Sequence, residues 1–312
     1  MAHDAEGAVP LVLAADVGGT NCRMALFQGA TIVEQRQVPS RGPGLAHALL
    51  PFLQGQKPMA ACIAVAGPVR EGHAALTNHH WVVRQDTLAE AIGCPVVLVN
   101  DFEAAARGVP ELAEDGWRAL QDGVVSDGPI AVLGPGTGLG QALLVPSPGG
   151  WLVLPSQGGH VDFGPTDDEE IALLRFLGRQ HRRVSYEHIL SGAGLVSLHA
   201  FYLEQGRAGS AKADPAHVVA SADPAARAAV RRFAAVLGAQ AGNVALATLA
   251  RGGVYLCGGI PPRLDLEGSR LLEQFHAKGR MAELMPDFPL RLVTDPHLGL
   301  RGAAALARER AV

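Results

Sequence analysis

Short apolar runs, glycine-rich turns and amphipathic stretches alternate along the whole chain. The sharpest run is Val96-Val97-Leu98-Val99, which stops at Asn100-Asp101 and is followed by the helix-like stretch Phe102–Arg107. β-Branched residues in a short continuous run predict a buried strand, here entering a helix. Further strands are expected at Leu11–Ala15, Cys22–Phe27, Ala30–Val38, Met59–Val65, Pro129–Leu133, Gln141–Val145, Gly253–Cys257 and Leu290–Val293. Helical patterns cover 45–53, 86–92, 170–180, 186–190, 195–204, 271–276, 279–283 and 299–310, with Ser191–Gly194 as a break. The alanine-rich stretch 223–249 predicts two helices, and 111–120 a linker or short helical segment. Strands alternating with helices argue an α/β fold.

Two strand–turn–strand units stand out. One turn is Asp16-Val17-Gly18-Gly19-Thr20-Asn21; the other is Gly134-Pro135-Gly136-Thr137-Gly138-Leu139-Gly140. Each is a hairpin with one threonine in a glycine-rich turn. Their recurrence about 120 residues apart suggests two domains built on one plan. Thr166-Asp167-Asp168-Glu169 has the form of a capping box, so the acidic run 167–170 is expected to complement a helix dipole rather than hold a metal.

Composition narrows the possibilities. The 312 residues suggest two domains or one large one, and 38 glycines allow many tight turns. A net charge of −4 leaves no basic footprint for nucleic acid. The longest stretch free of Asp, Glu, Lys and Arg, 128–161, is broken by prolines and glycines and is not a membrane span. Residues 1–6 lack the basic region of a signal peptide, so a cytoplasmic protein is expected. Cys22, Cys62, Cys94 and Cys257 are scattered without metal-ligand spacing and read as free buried thiols.

The turns carry the candidate chemistry. Glycine lets backbone N–H groups approach phosphate oxygens and permits positive φ. Thr20 and Thr137 add hydroxyl donors, and Asp16 near phosphates calls for an intervening cation, a water-bridged Mg²⁺. Both turns could equally be plain hairpin turns, and Asn100-Asp101 could simply cap the following helix. No GxxxxGK[ST] or GxGxxG motif is present.

The motifs together resemble the bacterial glucokinase family. They are Asp16–Asn21 with Arg23, Leu76-Thr77-Asn78, Val99-Asn100-Asp101-Phe102, Leu133–Gly140, Gly158–Phe163, Ser185–Gly194 and Gly252–Ile260, in the family's order. The resemblance implies the two-domain actin-like ATPase (ribonuclease H-like) fold, with sugar and nucleotide held in a cleft between the domains. It also implies a small domain of residues 1–110 completed by a C-terminal helix at about 299–312, and a large domain of 111–298. Homodimers are usual in that family, and the zinc-binding cysteine cluster of the related repressor and kinase group is absent here.

By the same resemblance the substrates are glucose and ATP with Mg²⁺, with no protein-only metal site. Asp101 matches the catalytic base. Asn78, Asn100, Asp101, Gln157, His160 and Glu187 match sugar-binding positions; Asp16, Gly18, Gly19, Thr20, Asn21, Gly136, Thr137, Gly138, Gly258 and Gly259 match nucleotide-binding ones. An ordinary aspartate pKa of about 3.9 makes Asp101 a weak base at neutral pH, so positioning is expected to carry much of its role. One departure matters: the family's Ser-Glu-Gly-Gly-His is Ser156-Gln157-Gly158-Gly159-His160 here. The alternative is thus a kinase for another hexose or sugar-like substrate. A non-catalytic sugar-responsive regulator is disfavoured by the presence of Asp101.

Overall fold

The structure is a computed structural model that describes residues 9–19, 21–75, 81–124, 126–210 and 214–311. The chain divides into two compact units, Met1–Glu114 with Asp295–Val312, and Asp115–Thr294.

In the first unit the elements run β1 (Leu11–Val17), β2 (Asn21–Gln28), β3 (Thr31–Pro39), α1 (Leu45–Leu53), β4 (Ala60–Val65), β5 (His73–Ala75), β6 (Val82–Arg84), α2 (Gln85–Ile92), β7 (Val96–Asn100) and α3 (Asp101–Gly108). The main sheet has the order β3-β2-β1-β4-β7, with β1, β2 and β3 antiparallel and β4 and β7 added in parallel. β5 and β6 pair with each other. Strand β1 shows why its sequence is continuously apolar. Val12 and Ala14 pack on one face with Ala303, Ala304 and Ala307, while Leu13, Ala15 and Val17 pack on the other with Leu49 and Phe52. A parallel strand covered on both faces needs no polar side.

The second unit holds β8 (Trp117–Gln121), β9 (Ile130–Pro135), β10 (Leu139–Ser147), β11 (Gly150–Ser156), α4 (Asp168–Gly178), α5 (Gly192–Glu204), α6 (Pro215–Ala220), α7 (Pro224–Thr248), β12 (Gly253–Leu256), α8 (Leu271–His276) and β13 (Leu290–Val293). Its sheet order is β11-β10-β9-β12-β13-β8. Without β8, the order and strand senses repeat those of the first unit: an antiparallel meander of three, then two parallel strands. The chain then returns to the first unit as α9 (Leu298–Arg308), which packs on α3 and β1.

Several elements differ from the sequence expectation. Residues 117–121 form β8 rather than linker, held by antiparallel pairing with β13. β11 was not anticipated; it is an edge strand on which Leu152 and Leu154 stay exposed, so burial left little apolar signature. The stretch 223–249 is one 25-residue helix, not two. Its interior glycines Gly238 and Gly242 mark the contact with α8, since a Cβ there would lie 2.0 Å from the Leu271 carbonyl oxygen and 2.6 Å from that of Phe275. The break expected at Ser191–Gly194 falls earlier, at 189–191: Ser191 is extended and caps α5, its Oγ accepting from the Gly194 N–H, and Gly192–Gly194 belong to the helix. The cap of α4 is Asp167 rather than Thr166, with Asp167 accepting from the Glu170 N–H and Glu170 accepting from the Thr166 N–H and hydroxyl. The adjoining acidic groups are also paired: Arg232 of α7 meets Asp167, Glu169 and Glu170.

Candidate active site

In the first unit the organising feature is the junction of β7 and α3. Capping falls to Asn100, whose Oδ1 accepts from the Phe102 N–H at 3.0 Å while its Nδ2 donates to the Gly67 carbonyl at 2.9 Å. Asp101 opens the helix, and its Oδ1 also accepts from the Phe102 N–H, at 2.8 Å. Burial, and next the negative charge of Asp16, push the Asp101 carboxyl up to about 6. This corrects the expectation of an ordinary weak aspartate: near pH 6 the group is poised to accept a proton. Asp16 is itself raised by burial, against the pull of Arg23. The N-terminus of α9 comes close to it, a Cβ on Gly299 lying 3.6 Å from Asp16 Oδ2.

Helix α3 is held in place by its contact with α9. A Cβ on Gly108 would lie 2.2 Å from the Leu298 carbonyl oxygen. Arg107 pairs with Glu111 and Glu309, both at 2.9 Å, and Arg308 with Glu111 at 2.5 Å. In the glycine turn, the Gly18 N–H donates to the Asn21 carbonyl at 3.0 Å and the Ser40 hydroxyl to the Gly18 carbonyl at 2.8 Å. Gly19 is half-buried beside it, whereas Thr20 and Asn78 lie outside the described residues.

In the second unit, Leu139 at the start of β10 is the common anchor. Its N–H donates to Glu187 Oε2 at 2.9 Å. Its carbonyl lies so near Gly159 that a Cβ there would be 2.1 Å away. Glu187 Oε1 faces His160 Nδ1 at 3.6 Å. The two loops are tied by backbone bonds, Tyr186 N–H to Val161 O at 3.2 Å and Phe163 N–H to Val184 O at 3.0 Å. Gln157, exposed, accepts the His160 N–H through its carbonyl and makes no capping bond with its side chain. Gln157, His160 and Glu187 are thereby brought to one place.

The second glycine turn converges with the strand-end glycines after β12. The Gly192 N–H of α5 donates to the Gly136 carbonyl at 2.8 Å, and a Cβ on Gly258 would lie 2.5 Å from the Pro135 carbonyl oxygen. Gly258 has φ +86°, so glycine is required there, and Gly259 next to it is open. Positive φ does not explain Gly18, Gly136 or Gly138. A Cβ on Gly136 would meet nothing within 4 Å, and one on Gly138 would strike Glu187 Oε2 at 2.5 Å. Thr137 is exposed between them. Gly136 therefore leaves space above its Cα while its N–H is bonded to the Gly138 carbonyl and its own carbonyl to the Gly192 N–H, and Gly138 makes room for Glu187.

Comparison with known proteins decides the family. The glucokinase family model matches residues 13–310. The chain is 40% identical over 304 residues to the glucokinase of Chromohalobacter salexigens, covering 93% of this chain and 95% of that relative. The chain belongs to the glucokinase family. The crystal structure of a glucokinase from an Antarctic psychrotroph matches at 33% identity with a TM-score of 0.87, covering 96% of this chain and 99% of that one. A ROK family glucokinase from Streptomyces griseus, solved in complex with glucose and AMPPNP, shares the fold at 21% identity, with a TM-score of 0.67 and coverage of 96% and 99%. The glucokinase-family fold is that of the actin-like ATPases, and the repeated five-strand order of the two units is its framework.

Sequence reasoning missed a polar chain beneath the Gly158 loop. A Cβ on Gly158 would lie 2.4 Å from the Gln141 carboxamide. Gln240 Nε2 donates to Gln141 Oε1 at 3.4 Å, and Asn243 Nδ2 to Gln240 Oε1 at 3.3 Å and to the Tyr186 hydroxyl at 3.0 Å. Lys278 Nζ completes it at 2.8 Å from Asn243 Oδ1, its pKa lowered by burial. The chain links the loop bearing Gln157 and His160 to the turn bearing Glu187. Its only sequence signal is a pair of carboxamides in the apolar second half of an alanine-rich helix.

Proposed function

We propose that this member of the glucokinase family phosphorylates glucose at its 6-hydroxyl with ATP, giving glucose 6-phosphate and ADP. The observation that carries the reading is the half-buried Asp101 carboxyl at the junction of β7 and α3, raised to about 6. In this reading Asp101 orients the 6-hydroxyl and takes its proton as the oxygen attacks the γ-phosphorus. A loose transition state develops little basicity demand early, so positioning precedes proton transfer. Asn100, Gln157, His160 and Glu187 meet the sugar hydroxyls, which need mixed donors and acceptors. Asn78 has the same assignment from the family motif.

The nucleotide phosphates are assigned to Gly18, Gly19, Thr20, Asn21, Gly136, Thr137, Gly138, Gly258 and Gly259. Mg²⁺ arriving with ATP supplies charge neutralisation at the phosphates. Asp16 would hold it through water, its half-buried carboxylate accepting only when ionised. The same reading puts the enzyme in glycolysis, in the cytoplasm, as a homodimer. Among the described residues no helix is long and apolar enough to cross a membrane. Gln157 supports a second reading, preference for another hexose. A coupled ADP-release assay over a hexose panel, with and without Mg²⁺, tests both. Phosphorylation of no sugar at all would sink them together.

A further inference from the structure

A cavity of about 120 Å³ opens beside α7 in the second unit, lined by none of the residues assigned above to sugar or nucleotide. Its floor is set by the helix itself. Ala228 and Ala235, seven residues apart, leave the hollow, and Arg231 and Arg232 between them project on the same face. Arg207 and Arg270 add two more guanidiniums, against a single lining carboxylate, Glu169.

The four arginines are not equivalent. Arg232 is buried and neutralised by Asp167, Glu169 and Glu170, and Arg270 pairs with Glu273 at 2.5 Å. Arg207 and Arg231 are exposed, and neither has a carboxylate within ion-pair distance among the described residues. Arg207 lies over the Tyr202 ring at 5.1 Å. The charges of Arg207 and Arg231 both bear on the Tyr202 phenol, yet burial prevails and pushes it up to about 12. The phenol therefore keeps its proton as a donor. Two unpaired planar forks flanking a concave, alanine-floored space suit a tetrahedral oxyanion, which guanidinium groups bind bidentately.

We propose that this cavity binds a phosphate dianion, free or as the end group of a small phosphoester, held by Arg207 and Arg231. The proposal is independent of the kinase reading. Isothermal titration of the full chain with inorganic phosphate, and separately with glucose 6-phosphate, tests it, with sodium chloride holding ionic strength constant. The native protein should bind one equivalent through this site. Arg207→Ala/Arg231→Ala should weaken it at least about tenfold, since hydrogen bonds to charged groups are individually strong. Arg231→Gln, which keeps a polar side chain but not the charge, should weaken it in the same direction. The probe whose uptake the double variant loses by the larger factor identifies the free or the esterified ion, because binding of glucose 6-phosphate at the catalytic site is common to native and variant proteins. Phosphate taken up at the glycine turns is common to native and variant proteins and cancels in the comparison. Equal uptake by native and double-variant proteins, or no uptake by the native protein, would overturn the proposal.

Discussion

Gly302 of α9 meets Ala104 of α3 so closely that a Cβ on Gly302 would lie 1.7 Å from the Ala104 carbonyl oxygen and 2.6 Å from the Gly108 nitrogen. In a helix interior, alanine is ordinarily favoured over glycine by about 1 kcal/mol. Here the contact reverses the sign. Gly302→Ala should destabilise the protein by roughly 1–3 kcal/mol, as overpacking does. Because α3 begins at Asp101, turnover should fall as well. Gly178, at the end of α4 with no neighbour around its Cβ position, is the control: Gly178→Ala should be neutral or mildly stabilising. Urea denaturation of the two variants side by side measures this.

The same contact illustrates what the sequence could and could not reveal. The runs at 11–15, 22–27, 96–99 and 290–293 are legible as strands because both sheet faces are buried and apolar patterning is strong. β8 and β11 are not, because one is a short mixed segment held by a distant partner and the other is a partly exposed edge. The glycines of α7 gave no hint of a single helix, since their reason lies in α8 across space. The loops bearing Gln157, His160 and Glu187 were legible as motifs. The anchoring of His160 and Glu187 through Leu139 and the polar chain from Gln141 to Lys278 were not, because both depend on contacts between residues far apart in sequence.

Asp101 gives a pH prediction of definite sign. Its carboxyl rises from 3.8 to about 6 on folding, so the folded state resists ionisation. The stability this carries is complete below pH 3.8 and is lost as pH rises through about 6. Asp101→Asn cannot ionise and should therefore be more stable than the native protein at pH 8, by on the order of 3 kcal/mol. The difference should vanish near pH 4. Melting curves across that range give the stability, while the native kcat/KM should rise with pH through about 6. A variant no more stable at pH 8 than at pH 4, relative to native, would refute the assignment.

Arg232 holds three carboxylates together, and Glu170 among them is only 2% exposed. Removing one partner of a buried pair leaves a charge without compensation and costs about 3–5 kcal/mol. Arg232→Met should lose that amount of stability. Adding Glu170→Gln to it should recover part of the loss, because the amide has no charge to bury. A double-mutant cycle read by chemical denaturation tests the coupling, and additive effects of the two substitutions would count against it.

The last prediction concerns Gln157. Its side chain makes no capping bond, and the turn Gly158–His160 that it precedes is held by backbone bonds and by Gly159 against Leu139. Glutamate has nearly the same shape, so Gln157→Glu should leave the loop as it is. Charge and hydrogen-bond polarity alone differ: glutamine keeps one carbonyl acceptor and has an NH₂ donor in place of the second oxygen. Hydrogen bonds to charged groups contribute about 1.5–3 kcal/mol against about 0.5–1.5 for neutral ones. With Gln157 facing the sugar, the variant should bind glucose more tightly by about 1–2 kcal/mol, roughly 5- to 30-fold. Contacts to ring hydroxyls are made in ground and transition states alike, so KM should fall while kcat changes less. Initial-rate measurements over glucose concentration, repeated with a panel of other hexoses, decide it. Should Gln157→Glu instead weaken glucose use, or should another hexose outperform glucose with the native protein, Gln157 is a specificity determinant and glucose is not the preferred substrate.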